Sequence, residues 1–202
     1  MKQTFIKTAV LVFAIIIGLA SCKKDKVETK NSFKYNSKET EIGTVYGGSI
    51  GESPTSGVYG TLIYVIEKTI TLHQIIGSSD SLSGTGDILI LTFLSNYSGA
   101  LPSGDYTFSI SEDPYVANSF GYQSGLLINV NTASSDVPAS IELSGGKVTV
   151  KKNADEYEFT FNITTKVNST ISGYYKGKIT PANFFGKKSQ SNNPFLCHFF
   201  KY

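Results

Sequence analysis

The chain has 202 residues and carries 18 basic residues, every one a lysine, against 16 acidic ones. Arginine is the side chain suited to bidentate contacts with phosphate and guanine, so a near-neutral chain without it is a poor nucleic-acid binder. Two cysteines, Cys22 and Cys197, exclude a disulfide-dense scaffold, and His73 and His198 have no zinc-type spacing with them.

The chain opens with a basic start and an apolar run. Lys2 and Lys7 are the only charges in the first 21 residues, and residues 9–20 are apolar apart from glycine. A membrane-spanning helix needs about 20 apolar residues. This shorter run with its basic flank reads as a secretory signal, which is removed before folding and is set aside here. The two lysines account for the whole net charge, so the rest of the chain is formally neutral.

The run ends in Leu19-Ala20-Ser21-Cys22. These four residues resemble the lipobox of bacterial lipoproteins, L-[AS]-[SGA]-C, at every position. The resemblance implies cleavage between Ser21 and Cys22, a diacylglyceryl group on the Cys22 sulfur, and a membrane as partner. One acyl chain holds a protein only marginally and two hold it stably, which a diacylglyceryl group supplies. A lipidated Cys22 would leave Cys197 without a disulfide partner. Residues 22–31 then form a polar tether, and the nine after the cysteine reach roughly 30 Å when extended. Lys23 stands where an aspartate would imply inner-membrane retention, so the resemblance implies the outer membrane. The Lys23-Lys24-Asp25 run also resembles the export signal of Bacteroidetes surface lipoproteins, implying exposure on the cell surface; a periplasm-facing placement is the alternative.

From residue 32 to 180 the pattern is that of one all-β domain, rich in Gly, Ser, Thr, Tyr, Phe, Val and Ile. Residues 33–42 read as a short hairpin. Residues 61–72 and 87–94 carry apolar side chains on both faces, as centrally buried strands do, and β-branched content favours strand over helix in the first. Residues 101–110 are a turn feeding a strand with Tyr106, Phe108 and Ile110 inward. Residues 125–130 and 140–146 are further strands. The last third is the clearest. Val148 and Val150 share a face, then Tyr157, Phe159, Phe161 and Ile163 alternate with polar residues, then Ile171, Gly173, Tyr175, Gly177 and Ile179 do the same. Three such runs with short turns predict an antiparallel meander with one face wet. The total is about nine or ten strands, either paired as a β-sandwich or closed as a lipocalin-like barrel so that edges are protected.

Three segments carry a wider resemblance: FKYNSKETEI at 33–42, ALPSGDYTF at 100–108, and SGGKVTVKKNADEYEFTFNIT with ISGYYKGKIT at 144–180. Together they resemble a group of small Bacteroidetes outer-membrane lipoproteins. Such chains tend to carry an F-x-Y-[ND]-G-K-x-Y opening, an L-P-S-G-x-Y-T turn and a G-x-Y-x-G ending. Ser37 and Thr40 depart from the opening, where glycine and an aromatic are usual. The motifs are turns and strand patterns, so the resemblance implies a fold more than an activity. After residue 180 the alternation stops. Residues 181–202 form a tail with the apolar set Phe195, Leu196, Phe199 and Phe200, read either as partly packed on the domain or as an appendage.

No catalytic, cofactor-binding or metal-binding set is expected. Glu156 and Glu158, with Asp155 before them, read as a solvated strand face rather than a paired-carboxylate site. His73 lacks a partner at suggestive spacing. The SGTGD segment at 83–87 reads as a hairpin turn without the lysine and helix of a phosphate cradle. Asp80, Asp87, Glu112 and Asp113 do not follow a calcium-loop pattern. Tyr46, Tyr59, Tyr97, Tyr115, Tyr122 and Tyr174 are candidate outward platforms for sugars, although tryptophan is absent. Asp80-Ser81-Leu82 resembles the D-[ST]-[ALIVMT] acceptor of the Bacteroidetes O-glycosylation system, implying a glycan on Ser81 in a polar loop. The Asn96, Asn162 and Asn168 sequons carry little meaning in that setting. The functional expectation is a lipid-anchored, non-catalytic binding or structural component. Its alternative is a binder of a glycan or small ligand.

Overall fold

A computed structural model describes residues 29–53, 57–74, 80–111 and 115–182. The signal segment, the tether up to residue 28 and the tail from 183 lie outside the described residues. The protein is all-β. Eleven strands run in chain order: β1 Ser32–Tyr35, β2 Lys38–Glu52, β3 Tyr59–Glu67, β4 Ile70–His73, β5 Ser81–Ser95, β6 Gly104–Ser109, β7 Ser119–Gly121, β8 Gly125–Asn131, β9 Ala139–Asn153, β10 Glu156–Thr165 and β11 Thr170–Pro181.

Pairing closes these strands into a ring. From β9 it passes through β10 and β11 to β1 and β2, then to β3 and β5. β5 returns to β9 by two routes, through β8 at one end and through β7 and β6 at the other. Most neighbours are antiparallel. Two short parallel pairings, β11 with β2 and β6 with β7, complete the closure. Without free edges along the ring, the backbone amides of long strands are satisfied internally.

The interior is filled by side chains. Alternate residues of β10 point inward, so Tyr157, Phe159 and Phe161 stack along the strand, with ring centroids 6.0 Å apart. Phe93 meets this column and takes Tyr106 edge-on at 5.0 Å. Two of the sequence motifs are devices that serve this core. In the LPSGDY turn, Leu101 is buried and the Tyr106 hydroxyl donates back to the Pro102 carbonyl at 2.9 Å, while Ser103 Oγ accepts the Lys152 amide. In the GYYKG run, a Cβ on Gly173 would lie 2.5 Å from the Ser32 carbonyl oxygen. One on Gly177 would lie 2.5 Å from the Tyr175 hydroxyl. The glycines let β1 approach β11 and let the Tyr175 ring lie along its own strand.

Three sequence expectations need correction. The run 61–72 is not one strand. It turns at Lys68 and Thr69, and β4 then folds back to pair with Ser81–Gly84 on β5. Its apolar residues serve two cores: Ile63 and Val65 point into the ring, while Leu62, Tyr64 and Ile66 point outward, into a second cluster with Ile70 of β4 and Leu127 and Val130 of β8. The SGTGD segment is not a hairpin turn. It lies inside β5, where the strand leaves β4 and joins β3. Gly84 there has φ +120° and its would-be Cβ sits 2.2 Å from the Thr69 carbonyl oxygen. Gly84 thus marks a close backbone approach at a bend. Ile110 does not point inward. β6 ends at Ser109, and Ile110 is 66 % exposed. The division of 61–72 and the three-residue β7 raise the strand number above the expected range.

Candidate functional site

Two arrangements bring chemistry together: a cleft at one pole of the ring and a buried carboxylate at the other. The cleft is built where β2, β3, β10 and β11 end beside the loop joining β5 to β6. Ile63, Leu101, Tyr157 and Ile179 form its apolar walls, and it encloses about 180 Å³. Glycine makes the space. A Cβ on Gly47 would fall 2.5 Å from Ile63 Cδ1 and 3.2 Å from Ile179 Cγ2, inside the cleft. Beside this lining, Ile50 follows Ser49 in the chain, lies against Gly60 and is 42 % exposed; Tyr97 is 59 % exposed and its ring leans over Gly99, another lining residue. The lining is mostly hydrocarbon, with Thr61 and Ser49 as hydroxyl-bearing members. Drug-sized ligands occupy roughly 300–1,000 Å³. A cleft of this volume has room for a short apolar group.

At the opposite pole Asp87, 4 % exposed, gathers four strands. Its Oδ2 accepts Lys38 Nζ of β2 at 2.7 Å and Thr40 Oγ1 at 3.3 Å, and its Oδ1 accepts the Asn129 amide of β8 at 3.0 Å. Glu67 of β3 accepts the Asp87 amide at 2.8 Å and lies 3.9 Å from Lys38 Nζ. The hydrogen bond to Asp87 raises the Lys38 ammonium above its ordinary pKa of 10.5, so that nitrogen stays protonated and is no nucleophile. A carboxylate with both oxygens occupied acts as a brace. Thr40 belongs to this brace, which gives a physical role to its departure from the aromatic of the resembled opening.

The sequence-derived candidates fall as follows. Cys22 and Ser21 lie outside the described residues, as do Cys197, His198, Glu112 and Asp113. Ser81 is not in a loop: it opens β5, pairs with His73 and is half-buried. Asp80 before it is buried. His73 does have a serine beside it, since β4–β5 pairing sets its Nε2 2.6 Å from Ser83 Oγ. Sequence spacing concealed this because the register of β4 against β5 is not written in the local pattern. Both residues sit on an open, exposed strand surface. Glu158 is held below the usual carboxylate range chiefly by its hydrogen bond from Lys151, and Asp155 pairs with Lys178. Asp105 is likewise lowered, first by Thr149 and then by Lys147. Among the described residues, no group of three or more His, Cys, Asp or Glu is arranged to hold a metal ion.

The six tyrosines do not form one platform. Tyr46 is buried in the outer cluster, which corrects its outward placement. Tyr115 and Tyr122 pack edge to face at 5.6 Å. Tyr174 stands half-buried on the wet face of β11 beside Glu158, and Tyr59 opens β3. Of the six, Tyr97 is the one whose ring lies over a cleft-lining residue, Gly99. Sequence reasoning missed the cleft because its walls come from four strands and a loop; the signal available was the glycine at 47, on the inward side of an apolar strand. No helix of the described residues is long and apolar enough to cross a membrane. No protein-family model, no curated protein and no solved structure matches this chain.

Proposed function

We propose that this chain is a bacterial outer-membrane lipoprotein of the small Bacteroidetes type. In this reading it is cut before Cys22, anchored by diacylglycerol on that cysteine and exposed on the cell surface, where the β domain serves as a non-catalytic binding or structural component. One observation carries the reading: the twelve-residue apolar run at 9–20 ends in Leu19-Ala20-Ser21-Cys22 and is followed at once by a charged tether. The fold is in keeping with it. The ring starts at Ser32, so the polar stretch from Cys22 lies wholly ahead of the first strand. A filled interior favours a surface component over the alternative, a glycan or small-ligand carrier. For that carrier, the cleft at the end of the ring is a candidate place among the described residues, and about 180 Å³ suits a small apolar group better than a sugar.

The test is fractionation of cells producing the Cys22→Ser chain. Lipid labelling is expected to disappear and the protein to leave the membrane fraction. Unchanged labelling and fractionation would reject the anchor. Protease treatment of whole cells then separates a surface-exposed domain, which is digested, from a periplasm-facing one, which is spared.

A further inference from the structure

The pole that carries the cleft has a direction relative to the tether. Ser32 lies opposite Tyr174 and Lys34 opposite Ser172, so β1 runs against β11. One step back, the Asn31 side chain donates to the Lys176 carbonyl at 3.0 Å and accepts the Lys176 amide at 2.8 Å. Moving back along the chain toward Cys22 therefore means moving forward along β11, toward Ile179 and Pro181, which line the cleft. The chain approaches Asn31 from the direction of the cleft, while Lys30 reaches Glu41 at 3.2 Å. From Lys176 to Pro181 is roughly 17 Å of strand. The nine residues from 22 to 30 reach roughly 30 Å, so the first residue of the mature chain can stand level with the cleft or beyond it.

The surface at that pole suits a hydrocarbon boundary. The opening is walled by Ile63, Leu101 and Ile179, and two exposed residues adjoin its lining: Ile50, next in the chain to Ser49, and Tyr97, whose ring lies over Gly99. Tyrosine with its apolar body and polar tip is a residue of membrane–water interfaces. We propose that this pole is a lipid-contacting surface. The domain rests cleft-down on the bilayer that carries its own anchor, with Ile50 and Tyr97 at headgroup depth and the end of one acyl chain entering the cleft. This rests on the lipid-anchor reading above. It adds an orientation of the domain on the bilayer, which covalent attachment at Cys22 alone does not specify.

The experiment uses the mature lipidated protein in phospholipid nanodiscs doped with a gadolinium-headgroup lipid, with isoleucine δ1-methyls labelled for NMR. Intact mass first establishes whether Cys22 carries the diacylglyceryl group. Given that group, the Ile50 and Ile179 signals are expected to be lost, while those of Ile163 and Ile171 at the other pole persist. Changing Ile50→Ser and Tyr97→Ser together, both at exposed positions, is expected to restore Ile179 with the lipid still attached. A lipidated Cys22 with even attenuation at the two poles, none at either, or preferential loss at Ile171 would overturn the docking alone. An unmodified Cys22 overturns the anchor, and the docking with it.

Discussion

Two walls of the ring bury their residues by different rules. β10 alternates along its length, with Tyr157, Phe159, Phe161 and Ile163 inside and Glu158, Thr160 and Asn162 outside. β3 is buried from Gly60 to Ile66 without a break. The wall around β10 has one core and a wet face, laced by pairs such as Lys151 with Glu158 and Lys147 with Asp105. The wall around β3 and β5 has a core on each side, because β4 and the first part of β5 lie over its outer face. A strand can thus be apolar on both faces inside a ring whose lumen holds one core only. The second core requires a flap, and the flap requires the turn at Lys68 and Thr69.

This difference is open to direct test by cutting outward-facing residues from both walls. Ile66 faces out from β3 yet is fully buried; truncation to alanine removes three methyl-sized groups from the second core. It should cost about 2–4 kcal/mol, read from denaturant unfolding. Thr160 faces out from β10 into solvent. Its alanine variant should stay within about 0.5 kcal/mol of the parent. Equal effects at the two positions would mean that the flap does not cover β3 as described.

The brace at Asp87 is where the flap region, the β3 wall and the β1–β2 hairpin meet. Asp87→Asn keeps the size of the side chain but removes the charge that faces Lys38 and one acceptor oxygen. Lys38 is half exposed, so its ammonium can turn to water and most of the Coulomb term is screened. The remaining loss is a buried acceptor facing Thr40 and Asn129. An expected destabilisation of about 1–3 kcal/mol follows, with an unchanged dependence on denaturant. A Lys38→Met variant should lose less, because the carboxylate keeps two other donors. If Lys38→Met proves the worse of the two, the ion pair itself holds the poles and the comparison shifts from burial to charge.

How much of this was legible in sequence follows the same division. The β10 and β11 strands were readable residue by residue because period-two alternation survives wherever one face is wet. Their turns were readable for the same reason: short polar breaks interrupt the pattern. On the other wall, continuous apolar runs conceal both register and boundaries. Residues 61–72 read as one strand because nothing in LIYVIEKTITL distinguishes a turn at Lys68 from a polar residue in a strand. The glycines of 83–87 read as a turn because sequence shows that glycine is required but not whether the cause is a loop or a neighbouring backbone. Ring closure, the His73–Ser83 contact and the cleft all depend on long-range pairing, which no local pattern carries. Thr40 is intermediate: its departure from the resembled opening was visible, and its reason, a bond to a carboxylate 47 residues away, was not.

The other departure, Ser37, supplies a smaller effect, of the opposite sign. Asn36 has φ +47° and Ser37 has φ +67°, both left-handed, in the two-residue turn between β1 and β2. Two-residue hairpins favour that geometry because its twist matches the strands, and they favour asparagine then glycine within it. Asn36 fits. A residue with a Cβ in the left-handed region is strained by about 1–2 kcal/mol, and glycine gives part of that back as chain entropy in the unfolded state. Ser37→Gly should therefore stabilise the protein by about 0.5–1 kcal/mol, seen as a higher midpoint of unfolding. The turn opens onto the Asp87 brace, since Lys38 is the next residue. The gain should accordingly persist undiminished in the Asp87→Asn background if turn strain and brace are independent, and shrink there if the serine holds Lys38 in place.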